Sequence, residues 1–136
     1  MRYLLDTNAL SEPKRKRPDP RAAAWLRGVD PADLYVSVLS LGEIANGIAK
    51  LGKKDAQAAA AFDEWARVIR ADFASRILDV DLAVADVWGH ISAPRSLQVV
   101  DALLAATALV HGMTLVTRNV RDIADTGVSI LNPWSD

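Results

Sequence analysis

Apolar positions along this chain recur with two different periods, and each switch between them marks a new element. Tyr3 to Asp6 is a short apolar run that stops on an acid, as a buried strand does at its end. Leu34 to Val38, Arg76 to Val80, Thr114 to Thr117 and Val128 to Leu131 are β-rich runs and predict four more strands. Between them the period lengthens. Arg21 to Gly28 predicts a short helix closed by a glycine. Leu41, Ile44, Ile48 and Leu51 share a stripe after the second strand, with Ser40 and Glu43 in the S-x-x-E pattern of a capping box. Ala58, Phe62, Trp65, Ile69 and Phe73 form one face of a helix over residues 55–73. Val84, Val87, Trp88 and Ile91 do the same over residues 81–93, ahead of Pro94. Asp101 to His111 predicts a helix that ends at Gly112, a natural C-terminal cap. Ser11 to Pro20 is polar, and its later prolines, Pro18 and Pro20, keep it from being one regular helix. Thr7 and Asn8 read as a turn. Strands alternating with helices predict an α/β domain over residues 1–136, with a five-stranded, mostly parallel sheet and helices on both faces.

Composition narrows the chemistry. The 136 residues suit one compact domain, and 51% hydrophobic content supplies a core without staples. There are no cysteines, which excludes disulfides, thiol nucleophiles and thiolate zinc sites and fits a reducing compartment. The net charge of −1 gives no global pull toward a polyanion. Ala102 to Thr117, the longest stretch without formal charge, falls short of the roughly 20 apolar residues of a membrane span. The expectation is a soluble, cytoplasmic protein with no membrane partner.

In an open α/β sheet, sites form outside the carboxyl ends of the strands. Asp6 ends the first strand, and Glu43 follows the second. Asp101 opens the helix that feeds the fourth, and Asn119 and Asp122 lie just past it. Each has a structural explanation: a turn cap for Asp6, a capping box for Glu43, a helix-dipole acid for Asp101, solvated loop positions for Asn119 and Asp122. What argues for a site is their convergence from separate stretches onto one rim. Clustered carboxylates need cations. Oxygen ligands without cysteine or a spaced histidine pair suit Mg²⁺ or Mn²⁺, and the matching chemistry is metal-assisted hydrolysis of a phosphodiester. The run Lys14-Arg15-Lys16-Arg17 is either a phosphate-contacting patch or a solvated loop. Trp25, Trp65, Trp88 and Trp134 read as packing residues. The region from Ile44 to Phe73 is either core or a groove for a partner helix.

The blocks "LLDTNALSE", "SVLSLGEIANGI" and "VDALLAATALVHGMTLVTRNVRDI" resemble the PIN-domain ribonucleases, and more narrowly the toxins of VapBC-type toxin–antitoxin pairs. "SEPKR" and "ILNPWSD" resemble the FitB branch, so the likeness runs from end to end. It implies a PIN-like fold and Mg²⁺- or Mn²⁺-dependent endoribonuclease activity that leaves 5′-phosphate and 3′-hydroxyl ends. It also implies an acidic triad of Asp6, Glu43 and Asp101. Asp122 is carried over as the fourth acid, while Asn119 stands where FitB-like members often have an acid and reads as a neutral group holding water or substrate. Thr7, Asn8 and Thr117 are the polar supports. Arg118 stands beside the site, to meet a phosphate, an inhibitory antitoxin segment or a nearby carboxylate. The implied partners are RNA, a small DNA-binding antitoxin, a second copy of the chain and a toxin–antitoxin hetero-oligomer. The alternatives are an aspartyl-phosphate phosphohydrolase, for which Asn8 is the wrong residue after the first strand, and a catalytically inactive PIN-like binding module.

Overall fold

Two apolar faces explain why the strands read as unbroken hydrophobic runs. In β1 (Tyr3–Leu5), Leu4 packs with Val84, Leu104 and Leu115 in one cluster, and Leu5 packs with Ala22, Val36 and Val116 in another. Side chains alternate across the sheet, so a strand covered on both sides is apolar at every position. The computed structural model describes residues 1–135; Asp136, where the expected domain ends, lies outside the described residues.

β1 is followed by β2 (Leu34–Ser37), β3 (Ile77–Leu78), β4 (Thr114–Val116) and β5 (Ile130–Leu131). All four pairings are parallel, in the order β3-β2-β1-β4-β5. The chain winds outward from β1 to β3, then crosses back to place β4 on the other side of β1. The carboxyl ends of β1 and β4 therefore flank the point where the winding reverses, which is where α/β sheets open a crevice.

The helices are α1 (Thr7–Ser11), α2 (Pro20–Gly28), α3 (Val38–Gly52), α4 (Ala56–Asp72), α5 (Leu82–Ser92), α6 (Val99–His111) and α7 (Val120–Ile123). α6 lies close to the sheet because its inner face is small: Ala102, Ala105, Ala106 and Ala108 are fully buried. It ends as expected, with Gly112 in the left-handed region at φ 64°. No described helix is long and apolar enough to cross a membrane.

Several local expectations are corrected. Thr7 and Asn8 do not form an isolated turn. They open α1, and a 3₁₀ turn over Glu12–Lys14 continues from it. The Ser40–Glu43 capping box does not form. The cap of α3 is Ser37, whose hydroxyl accepts the Leu39 N–H at 3.0 Å, so Ser40 lies inside the helix and is buried. α6 begins at Val99, which places Asp101 within its first turn. α7, absent from the sequence reading, follows β4 almost at once.

Candidate active site

Asp6 sits where β1 leaves the sheet. It is only 7% exposed, and its backbone N–H donates to the Val116 carbonyl at 3.0 Å, so β4 holds it in register. Its carboxylate accepts the Ala9 N–H at 2.7 Å and caps α1. It also accepts a hydrogen bond from Thr117. The carboxylate that caps α1 thus also faces a cleft.

Asp101 reaches the same place from α6. Its Oδ2 accepts from Asn119 Nδ2 at 2.8 Å. The Asn119 backbone N–H in turn donates to Thr117 Oγ1 at 3.0 Å. Glu43 comes from α3, is exposed, and accepts a hydrogen bond from the Thr7 hydroxyl. Thr7 Oγ1 is also hydrogen-bonded to Ser40 Oγ at 3.1 Å, which ties α1 to α3. Asp6, Glu43 and Asp101 line one open cleft of about 320 Å³. Thr7, Asn8 and Asn119 complete its polar wall.

The electrostatics follow from this crowding. Burial pushes Asp6 above its ordinary value, and the charges of Asp101 and Glu43 push the same way, against the hydrogen bonds from Thr117 and Ala9. Asp101 is likewise raised, first by burial and then by Glu43 and Asp122, with Asn119 opposing. Asp122 is solvent-exposed on α7, near enough for its charge to act on Asp101. Among the described residues, no three acidic or imidazole side chains close into a compact ligand cage. No cationic side chain is among the described residues that line the cleft. A carboxylate-rich wall of this kind fits a hard cation, because Mg²⁺ is usually held by one or two carboxylates and keeps several waters.

Arg118 is not among the described residues that line the cleft. Its guanidinium lies over the Trp134 ring, 4.7 Å from the centroid. Past the end of β4 the chain bends at Arg118, so Thr117 and Asn119 meet the acids while Arg118 meets the C-terminal segment. Three residues escaped the sequence reading. Gln98 and Leu104 line the cleft, and Glu12 is almost fully buried. Glu12 accepts the Asp19 N–H at 2.7 Å and pairs with Arg15 at 3.5 Å, fastening the loop that carries the basic run. Its place beside prolines and cations gave no sign of burial. Gln98, which stands at the start of α6 without a side-chain cap bond, carried no motif. Beside the cleft, sharing Thr7 and Glu43 with it, runs an apolar groove of about 340 Å³. Ile44, Ile48, Phe62 and Trp65 form its floor, and Lys14 and Arg15 stand at its edge.

An acidic cleft at the switch point of a parallel sheet defines the class: the chain belongs to the PIN-domain family, whose domain matches residues 3–128. Among curated relatives, toxin FitB of Neisseria gonorrhoeae is 34% identical over 140 residues, covering 98% of this chain and 99% of that protein. VapC ribonuclease Y4jK of Sinorhizobium fredii is 28% identical, with 96% of each covered. The fold is similar to that in the crystal structure of FitAcB from Neisseria gonorrhoeae, with a TM-score of 0.88 at 34% identity over 98% of this chain and 99% of that one. It is similar also to that of FitAB bound to an IR36 DNA fragment, with a TM-score of 0.85 over 98% and 96%.

Proposed function

We propose that this PIN domain is the endoribonuclease toxin of a type II toxin–antitoxin pair, hydrolysing RNA phosphodiester bonds with Mg²⁺ or Mn²⁺. The observation that carries this reading is the pair Asp6 and Asp101, brought together from β1 and α6 and both pushed toward protonation in a cleft whose described lining has no cationic side chain. Carboxylates held at such a cost to charge are poised for a cation. The printed names of the relatives, a toxin and a VapC ribonuclease, point the same way.

Asp6 and Asp101 would hold the cation, with Glu43 beside them and Asp122 adding charge further out. When bound, such an ion supplies Lewis-acid activation of water and of the phosphoryl oxygens. The chain supplies the orientation. Ala9 and Thr117 fix Asp6, Asn119 fixes Asp101, and Thr7 fixes Glu43, which would ligate the cation or position the attacking water. The antitoxin is assigned to the apolar groove between the α3–α4 hairpin and the basic edge. The relative solved as FitAB on DNA supports a partner that binds DNA. A homodimer within a larger toxin–antitoxin assembly belongs to the same reading.

The test uses protein purified free of any partner, labelled RNA, and Mg²⁺, Mn²⁺ or EDTA, comparing wild type with Asp6→Asn. Asparagine retains the α1 cap, so the comparison isolates the charge. Cleavage is expected only in wild type with metal. Cleavage that persists in EDTA, or in Asp6→Asn, refutes the reading.

A further inference from the structure

Asp6 and Asp101 are joined by a continuous bridge along the end of β4. Thr117 donates its hydroxyl to Asp6, the Asn119 backbone N–H donates to Thr117 Oγ1 at 3.0 Å, and Asn119 Nδ2 donates to Asp101 Oδ2 at 2.8 Å. The bridge ends in an amide, where an acid would have added a further charge to the cleft. We propose that Asn119 is a positioning residue that locks Asp101 through Oδ2 and, as a neutral amide, leaves the cleft with charge for a single divalent cation. The proposal rests on the metal-nuclease reading above.

The reasoning is one of donors and charge. A primary amide beside a carboxylate presents its NH₂ group, and one of the two N–H donors of Asn119 Nδ2 is committed to Asp101. The Asn119 amide fixes the orientation of the Asp101 carboxylate through Oδ2, and an oxygen that accepts one hydrogen bond keeps a lone pair for a cation. The cleft also has few charges to divide. Asp6 and Asp101 are its buried acids, and Glu43 is exposed and engaged by Thr7. Two cations would bring four positive charges to three carboxylates, with Asp122 lying further out. An acid at position 119 would reverse both conditions: it gives Asp101 Oδ2 no donor, and it adds the missing charge.

The test is calorimetric titration of the full chain with Mn²⁺ alone, for wild type, Asn119→Ala and Asn119→Asp, with circular dichroism to confirm folding. Wild type is expected to bind one ion per chain. Asn119→Ala is expected to keep that stoichiometry with affinity about 10- to 100-fold weaker, the usual effect of removing a group that orients a ligand. Asn119→Asp is expected to take up a second ion. In RNA cleavage, with active protein counted from the Mn²⁺ titration so that a loss of folded protein is corrected for, Asn119→Ala should lower kcat while leaving KM for RNA unchanged. Two ions on wild type, unchanged affinity in Asn119→Ala, or one ion on Asn119→Asp each overturns the role of Asn119 while leaving the nuclease reading intact. No Mn²⁺ on wild type overturns both. If Asn119→Ala fails to fold, the Asn119→Asp stoichiometry decides alone.

Discussion

One carboxylate, that of Asp6, ends a strand, caps a helix and faces the cleft, and those roles pull its energetics in opposite directions. Its pKa in the folded protein is raised above the ordinary value of 3.8. The folded state therefore holds that proton more tightly than the unfolded chain does. The resulting stabilisation is complete below about pH 3.8 and is lost as pH rises through the raised value. At neutral pH wild type is left with the burdened charge. Asp6→Asn removes the charge and keeps the cap, so without divalent cation its melting temperature at pH 7 should exceed that of wild type. That advantage should vanish below about pH 3.8, where Asp6 is protonated in both states. Added Mn²⁺ should raise the melting temperature of wild type and leave Asp6→Asn nearly unmoved, because only a state that binds the ion gains from it. Thermal melts at the two pH values, with and without Mn²⁺, check both signs. A variant that is more stable and inactive is the usual signature of a site that trades stability for function.

Elements differ in how plainly their sequence announced them. α4 runs over Ala56–Asp72, almost as its stripe predicted, because Ala59, Ala66 and Phe73 fall on the buried side. The five strands were legible because both faces of the sheet are covered, although β3 and β5 pair over only two residues each. α1 was not legible. It has five residues, starts directly at the strand end, and takes its stability from the Asp6 cap and the burial of Ala9 and Leu10 rather than from a periodic stripe. The α3 start was misplaced because two serines compete for the cap, and only the fold shows that β2 delivers Ser37 there. For the site, Asp6, Glu43 and Asp101 were legible as acids at strand ends and helix starts. The direction of Arg118 and the bond from Asn119 to Asp101 were not, since both depend on how the chain turns after β4. A single glycine illustrates an element whose end the sequence did announce. Gly112 has φ 64° and no atom crowding its missing side chain. Alanine there is strained by backbone conformation alone, and Gly112→Ala should cost about 1–2 kcal/mol by urea denaturation with no change in RNA cleavage at temperatures where it stays folded.

For the molecule as a whole, a net charge of −1 conceals a division of labour: acids gather in the cleft, and Lys14, Arg15, Lys16 and Arg17 follow one another on a loop beside it. Glu12 fastens that loop from beneath, through the Asp19 N–H and Arg15. An acidic cleft repels RNA, so binding needs a cationic contact nearby. Replacing Lys14, Lys16 and Arg17 with serine should weaken RNA binding at low salt. It should also flatten the plot of log affinity against log salt by about 0.7 per lost phosphate contact on a single strand, as read by fluorescence anisotropy. Mn²⁺ affinity should not change. The position of β1 between β2 and β4 has a consequence in time. Of the five strands the first to be synthesised is the central one; one of its pairing partners, β2, follows at Leu34, but the other begins only at Thr114. Until β4 emerges, Asp6 lacks its backbone acceptor at Val116 and its link through Thr117 and Asn119 to Asp101. A chain still being made, or one cut short before that strand, carries Asp6 and Glu43 but no assembled cleft. The acids of the cleft can act together only after β4 has been synthesised.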